Sequence, residues 1–242
     1  QTFQENPVFA EKVRTGELPP VEQRLPVAED VLVLDVPDEI GIYGGTWRLA
    51  SSGWLMDIAQ FSKGECLTKA ADGETFVAYA CEKWSQSDDG RTFTFTLRRG
   101  TKWSDGVPLT MDDVMFGFHD TIFNKEFDAG EKWRMWDPLT QKFPKVEAVD
   151  DWTFSIKYEN PYYNFLEGGR SRGPRCRVGC WYGARQYLYQ FHPKYASSGE
   201  LNAKLEETGM PGWVDLFKSE TTAHGFGIIR VPHIGPYLQT YG

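Results

Sequence analysis

The most regular polar–apolar alternation in the chain runs from residue 92 to residue 97. Threonines alternate there with apolar residues, and the apolar face consists of Phe93, Phe95 and Leu97. A period of two is typical of a half-buried β-strand. The preceding Ser-Asp-Asp-Gly at 87–90 predicts a tight turn in which Gly90 adopts a positive φ.

A second alternation occupies residues 152–158. Its apolar positions are Trp152, Phe154, Ile156 and Tyr158. The segment 146–149 before it has strand character, and the two segments are separated by Asp150 and Asp151, which favour a turn. The pattern therefore predicts a β-hairpin centred on these two aspartates.

The pattern changes to helical spacing after Thr110. Thr110 is expected to be an N-cap, with Asp113 three residues later in a capping-box position. Apolar residues then recur at intervals of four, at Val114, Phe118 and Ile122. This spacing predicts an amphipathic helix that ends near Asn124 and carries His119 on its polar side.

Other segments complete a mixed picture. Helices are predicted at 7–14 (followed by Gly16), at 184–191, and at 200–207, where Gly209 and Pro211 end the helix. A strand is predicted at 46–50, and the proline-rich first forty residues are expected to form an extended arm. Strands and helices mix without regular βαβ alternation, so the expected fold class is α+β or mixed α/β.

Composition narrows the possible functions. The 242 residues include 34 acidic and 26 basic ones, and the net charge of -8 disfavours binding to nucleic acid or an anionic membrane. Aromatic residues make up 15% of the chain, which suits both a packed core and a ligand cleft. No apolar run approaches the roughly 18 residues of a membrane span. The first residues, from Gln1, are polar and do not have the pattern of a signal peptide, so either the protein is cytosolic or the numbering begins after processing.

Cysteines and catalytic motifs give limited information. Cys66, Cys81, Cys176 and Cys180 allow three disulfide pairings, and buried free thiols are an alternative. The spacing of the last two matches no common zinc pattern, so no metal is expected. The sequence has no G-x-S-x-G, P-loop or H-E-x-x-H motif. We therefore expect no catalytic residues and no cofactor.

A longer ordered pattern resembles a known family. Residues 82–106 combine the 87–90 turn, the aromatic strand, an Arg-x-Gly at 98–100 and a Trp-x-Asp-Gly at 103–106, and 110–114 add Thr-x-x-Asp-Val. This order resembles extracellular solute-binding protein family 5, the oligopeptide, dipeptide and nickel receptors of ABC importers. Further matching landmarks lie at 44–49, 191–196 and 234–237.

The resemblance implies a periplasmic binding protein-like fold of class II. By this comparison, residues 1–56 form an N-terminal arm and the first part of lobe I, 57–172 form lobe II, and 173–242 return to lobe I. The chain stops at Gly242, where lobe III would follow in the family. We therefore expect an N-terminal fragment or short form that is incomplete because lobe III is missing.

The resemblance also implies a function. It predicts a protein of the bacterial periplasm, with its signal peptide removed, that captures peptides or a similar small polar solute without catalysis. It would pass this ligand to an ABC permease in the membrane. Two alternatives are an oligosaccharide-binding relative, and an assembly protein that binds a partner or self-associates through the surface that lobe III would cover.

Ligand-binding candidates come from the same resemblance. Ser51, Ser52, Gly53 and Trp54 follow the first strand, whose end borders the cleft in the family, and Trp181 and Tyr182 would line the hinge side. Ordinary packing is an equal alternative for each of them. An arginine-rich loop could be either solvated charge or a contact with an anion or the permease. It contains Arg170, Arg172, Arg175 and Arg177.

Trp84 and Trp103 flank the aromatic strand and are expected to belong to a hydrophobic core rather than to a ligand platform. A group of aspartates could suggest a cation site, but turn and helix-cap positions already explain them. These are Asp88, Asp89, Asp105, Asp112 and Asp113. The sequence therefore predicts structural roles for all seven residues.

Overall fold

The computed structural model describes residues 3–26, 28–31, 66–70, 72, 74–127, 135–166, 183–221, 232 and 234. Two antiparallel sheets are present in these ranges. The smaller pairs β1 (Leu67–Lys69) with β2 (Phe76–Ala78). The larger contains β3 (Cys81–Gln86), β4 (Thr92–Leu97), β5 (Lys145–Ala148) and β6 (Thr153–Lys157) in the order β3–β4–β6–β5.

Both alternating segments form the predicted strands. The apolar residues of β4 are fully buried, whereas its threonines are half-buried on the other face. Phe95 lies opposite Trp84 of β3 and Phe154 of β6, and the rings of Phe95 and Phe154 stack with centroids 5.4 Å apart. Strand β4 is thus central because its apolar face packs on the core while both of its edges are paired.

The predicted turns are also present. Gly90 has φ of +65°, and its N–H donates to the Ser87 carbonyl over 2.8 Å. In the hairpin of β5 and β6, Asp150 Oδ1 accepts from the N–H groups of Trp152 and Thr153 at 2.8 and 2.7 Å. These bonds to the Asp150 carboxylate satisfy backbone N–H groups of the turn. The hairpin therefore lies at the predicted position, around Asp150 and Asp151.

A disulfide joins the two sheets. Cys66 and Cys81 are bonded, with Cα atoms 4.6 Å apart, and both residues are buried. The bond fixes the start of β1 to the start of β3. It selects one of the pairings left open by the sequence, while Cys176 and Cys180 lie outside the described residues.

The predicted helix after Thr110 needs one correction. It begins as α3 (Met111–Met115), but Phe116–Ile122 form a π-helix rather than continuing the α-helix. The wider turn is visible in the bond from the Phe123 N–H to the Phe118 carbonyl, five residues earlier, at 2.8 Å. The residues predicted to face the core, Val114, Phe118 and Ile122, are buried, and His119 is exposed as predicted.

The C-terminal helices surround a second core. They are α4 (Arg185–Leu188) with a 3₁₀ turn at Tyr189–Phe191, α5 (Ser198–Thr208) and α6 (Trp213–Thr221). The first two correspond to predicted helices, and Gly209 ends α5 in the left-handed region with φ of +66°. Helix α6 was not predicted. Its Leu216 and Phe217 are fully buried.

The N-terminal arm contains two short helices and a 3₁₀ turn. They are α1 (Ala10–Arg14), within the predicted 7–14 segment, α2 (Val21–Arg24) and the turn Ala28–Asp30. None of the arm side chains whose exposure is described is buried. The arm therefore lies on the outside of the molecule and contributes little to either core.

Candidate functional site

The six residues predicted to bind ligand all lie outside the described residues. They are Ser51, Ser52, Gly53, Trp54, Trp181 and Tyr182. The predicted strand at 46–50 and the four arginines of the 170–177 loop lie outside them as well. The described part of the chain instead contains the elements on either side of these segments, and two polar clusters there join separate pieces of chain.

The first cluster is built from the Trp-x-Asp-Gly and Thr-x-x-Asp-Val motifs. Asp113 Oδ2 accepts from the Thr110 N–H at 2.8 Å, from the Thr110 hydroxyl at 3.0 Å, and from Trp103 Nε1 at 3.4 Å. Burial raises the pKa of Asp113, and these hydrogen bonds partly offset the effect. The two motifs are thus parts of one structural unit.

This unit also holds the segment that begins at residue 183. The Gly183 N–H donates to the Asp113 carbonyl at 3.1 Å, and Arg185 Nη1 donates to Asp112 Oδ2 at 2.6 Å. Gln186 Nε2 donates to Asp105 Oδ2 at 3.0 Å. The motif aspartates therefore make structural contacts, as the sequence predicted for this group.

The predictions for the two tryptophans agree with the structure. Trp103 is buried and Trp84 packs against the same core, with its ring 6.3 Å from that of Phe76. Asp89 bonds the Ser87 hydroxyl at 2.6 Å and the Arg91 N–H at 3.1 Å, which fixes its turn. Within the described ranges, no group of three or more His, Cys, Asp or Glu side chains is placed to hold a metal ion.

The second cluster is centred on Asp120 of the π-helix. Its carboxylate accepts from Lys194 Nζ at 2.7 Å and from the Tyr195 hydroxyl at 2.5 Å. The hydrogen bond to Asp120 holds the pKa of Lys194 above its ordinary value. Burial, together with the bond to the same carboxylate, raises the pKa of Tyr195 to about 12. Both side chains therefore keep their protons across the physiological range.

His192 completes this second cluster. Its side chain is buried, and its ring packs among the rings of Phe116, Tyr195, Trp213 and Phe217. Its Nδ1 accepts from the Lys194 N–H at 3.2 Å. Burial lowers the pKa of His192, although Asp120 acts in the opposite direction. The imidazole is consequently neutral near pH 7.

Sequence reasoning did not single out Asp120, Lys194 or Tyr195 as a unit. The available signal was a charged residue within the mainly apolar stretch 114–123, since buried carboxylates are nearly always paired. The Phe-His-Pro-Lys-Tyr-Ala landmark at 191–196 supplies the partners. The spatial meeting of the two segments cannot be derived from their spacing because 74 residues separate Asp120 from Lys194.

Comparison with known families identifies this architecture. Residues 75–205, more than half of the chain, match the model for the middle region of bacterial extracellular solute-binding proteins, family 5. The chain belongs to this family. The matched region contains β2 to α4, most of α5, and both polar clusters. Family members are binding proteins, and the predicted family resemblance is confirmed.

Individual relatives extend the similarity. The chain is 28% identical over 216 residues to the periplasmic alpha-galactoside-binding protein of Rhizobium meliloti. This alignment covers 77% of the present chain and 29% of the relative. It is 32% identical over 131 residues to the dipeptide-binding protein of Escherichia coli, and that alignment covers 49% of this chain and 24% of the relative. The chain thus spans less than a third of the length of these relatives.

Solved structures support the fold. An oligopeptide-binding protein OppA superimposes with a TM-score of 0.80 at 31% identity, covering 98% of this chain and 35% of the other. The periplasmic binding protein MelB of Agrobacterium fabrum, in complex with stachyose, has a TM-score of 0.63 at 22% identity, covering 97% and 35%. The chain therefore has a mixed α/β periplasmic binding-protein fold that corresponds to about a third of these structures.

Proposed function

We propose that this chain belongs to the substrate-binding component of an ABC importer, which captures peptides or a similar small polar solute and delivers it to a membrane permease. The supporting observation is the family match over 75–205 together with the superposition on an oligopeptide-binding protein over nearly the whole chain. The protein would act by binding and lobe closure, without covalent chemistry.

The proposed location is outside the cytoplasmic membrane, in the bacterial periplasm. The buried Cys66–Cys81 disulfide supports this location because such bonds persist mainly in oxidising compartments. No helix in the described ranges is long and apolar enough to cross a membrane. The division into an arm and first lobe I segment (1–56), lobe II (57–172) and a return to lobe I (173–242) is part of the same proposal.

The proposed ligand site contains Trp54 and Trp181, with Ser51, Ser52, Gly53 and Tyr182 beside them. Its test is calorimetric titration of the natural gene product that contains this chain, using a library of short peptides. Trp54→Ala and Trp181→Ala should weaken binding at least tenfold. Trp152→Ala removes a partly exposed tryptophan of the hairpin and should leave affinity unchanged. Equal affinity in all four proteins would rule out this site.

One observation favours a second candidate ligand. The similarity to the alpha-galactoside-binding protein covers 77% of this chain, more than the match to the dipeptide-binding protein does. Alpha-galactosides therefore form the second arm of the titration. Binding of these sugars without binding of peptides would replace the peptide proposal, and the tryptophan variants would locate the site in either case.

The oligomeric state distinguishes the assembly alternative from the receptor function. Light scattering after gel filtration at several concentrations should give a ligand-stabilised monomer if the protein is a receptor. A concentration-dependent oligomer that binds no peptide or sugar would instead favour self-association through the surface that lobe III covers in the family.

A further inference from the structure

The π-helix and the 191–196 segment meet around one residue, Asp120. Besides the carboxylate bonds from Lys194 and Tyr195, the Asp120 backbone carbonyl accepts from Asn124 Nδ2 at 3.1 Å, and the same Nδ2 lies 3.4 Å from His192 Nε2. Three side chains therefore bond Asp120. Two of them, Lys194 and Tyr195, come from the later segment, so this cluster connects the second core to the first.

The hydrogen bonds define the tautomer of His192. Nδ1 faces the Lys194 N–H, which can only donate, so Nδ1 must be the unprotonated acceptor. Because a neutral imidazole carries one proton, that proton is then on Nε2. The Asn124 amide, whose Nδ2 lies 3.4 Å from Nε2, is oriented because its Oδ1 accepts from the N–H groups of Glu126 and Phe127. Both ring nitrogens of His192 thus lie beside hydrogen-bond donors, and neutral His192 accepts the bond from the Lys194 N–H through Nδ1.

A second proton on His192 has no acceptable position. It would have to bind Nδ1, where it would face the Lys194 N–H and break that bond. The new cation would also lie among four aromatic rings and close to the Lys194 ammonium. The opposing groups are Asp120 of the π-helix, already bonded to two donors, and Glu126, which accepts from Trp213 Nε1 at 3.1 Å.

We propose that His192 is an acid-sensitive latch, whose protonation releases the 191–196 segment and helix α6 from the π-helix. Its position explains why release would be local. Displacing Lys194 removes a donor from Asp120, and displacing the ring removes the contacts with Trp213 and Phe217 of α6. Strands β3, β4 and β6 belong to the other core and make none of these contacts.

The direction of the pH dependence follows from the depressed pKa of the folded state. The unfolded chain takes up the proton near the ordinary value of about 6.5, whereas folded His192 resists it. The stabilisation is therefore complete above that pH and is lost as the pH falls below it. In the proposed receptor, opening of the latch would make ligand capture weaker in acid. This effect on ligand capture rests on the proposed function, whereas NMR titration and thermal unfolding report on His192 itself.

The first test is an NMR titration of the histidine side chains in the wild-type protein between pH 8 and 5. We expect the Nε2–H tautomer for His192 and a titration midpoint below 6.5. Hydrogen exchange, corrected for the intrinsic pH effect, should show residues 192–196 and 213–221 losing protection before 81–97. An Nδ1–H tautomer, a midpoint at or above 6.5, or simultaneous loss in the sheet would overturn the proposal.

The second test compares variants by thermal unfolding over the same pH range. His192→Asn keeps an acceptor near the position of Nδ1 but cannot be protonated, so its Tm should fall less between pH 7 and 5 than that of the wild type. Wild type and His119→Gln, which changes an exposed histidine of the same π-helix, should both lose at least about 2–4 °C in this interval. A Tm of His192→Asn that falls as steeply as that of wild type would contradict the latch. If this variant does not fold, the NMR titration alone decides.

Discussion

Gly90 is buried in the turn between β3 and β4, next to the ring of Tyr163. A Cβ atom at Gly90 would lie 2.5 Å from Tyr163 Cε1, and the backbone there has φ of +65°. Both facts select glycine, the first by space and the second by conformation. The contact also keeps a mostly exposed tyrosine ring against the 87–90 turn.

Gly90→Ala should therefore destabilise the protein more than an ordinary glycine substitution in a turn. Gly106→Ala is the matched control, since Gly106 has φ of +87° but no atom within 4 Å of the added Cβ. The control has only the conformational cost of about 1 kcal/mol, and Gly90→Ala should lose up to about 1 kcal/mol more because the exposed Tyr163 ring must move aside. Urea unfolding measures both. Equal losses would mean that the Tyr163 ring moves away freely.

Asp137 is a buried carboxylate that organises the loop before β5. It accepts from the N–H groups of Leu139 at 2.9 Å, Thr140 at 3.0 Å and Asn160 at 2.9 Å, and from the Asn160 side chain at 3.1 Å. Burial would raise its pKa, but these donors lower the pKa to about 2. The charge is thus stabilised by the turn that it holds together.

The stability of the protein should consequently fall in acid through Asp137. Its folded pKa is below the unfolded value, so its contribution is complete above about pH 4 and is lost as the pH falls towards 2. Asp137→Asn removes this titration and should reduce the slope of unfolding free energy against pH in that window. Asp151→Asn, at an exposed aspartate of the hairpin turn, is the control. A wild-type slope in Asp137→Asn would disprove this role.

At the level of elements, local pattern and long-range pairing differ in how far they could be predicted. Strands β4 and β6 and the start of α3 followed from alternation and capping because both signals lie within a few residues. The three-residue strands β1 and β2 are too short to show a period. Helix α6 was missed because Gly212 before it provides no side-chain cap.

The order of the large sheet could not be predicted from these patterns. Strand β6 pairs with β4 across some 57 residues, as in the Thr96–Thr153 pair. The π-helix was also missed, because its residues keep the apolar spacing of an α-helix. The family resemblance supplied the fold class, which is confirmed, whereas the lobe assignment and the predicted ligand residues remain predictions.

The disulfide is the element-scale feature with the clearest stability consequence. It closes a loop of 15 residues between β1 and β3. In the chain-entropy account, such a loop restricts the unfolded state by about 3 kcal/mol. Both half-cystines are fully buried, so their neighbours contribute packing that a reduced pair would keep.

Cys66→Ala/Cys81→Ala should lower the free energy of unfolding by about 2–5 kcal/mol relative to the oxidised protein. Urea unfolding in a Cys176→Ser/Cys180→Ser background isolates this bond from the other two cysteines. Adding reductant to that background should reproduce most of the loss once the buried disulfide is reduced. Unchanged stability after verified reduction would show that the packing around the bond carries the effect.

At the scale of the whole molecule, the N-terminal arm is held in shape by contacts among its own residues. Arg24 bonds Glu5 through Nη2 at 2.5 and 2.6 Å, donates from Nε to the Pro19 carbonyl at 2.9 Å, and lies over the Phe9 ring. These contacts join the two ends of a 19-residue interval. The arm is therefore ordered by its own polar contacts and not by burial in the core.

Two cations of the body hold this arm in place. Arg98 Nη1 donates to the Asp30 carbonyl at 2.7 Å while its Nε donates to the Tyr79 carbonyl at 2.8 Å, and Lys102 Nζ bonds the Gln23 carbonyl. Arg98, which directly follows β4, thus connects the arm to the β2–β3 junction. No described arm side chain is buried, so these bonds are the main described attachment.

Arg98→Gln should accordingly release the arm without unfolding either core. The glutamine cannot reach both carbonyls, so hydrogen exchange across residues 28–31, the part of the arm that Arg98 holds, should become faster by tenfold or more, the effect of about 1.4 kcal/mol in a local opening equilibrium. Arg99→Gln is the control, since the neighbouring Arg99 lies over the Trp152 ring and not against the arm. Thermal unfolding of the two variants should differ little. If exchange in the arm is the same in both variants, the arm is held by contacts other than Arg98. If exchange also accelerates throughout the sheet, Arg98 stabilises the β2–β3 junction rather than the arm.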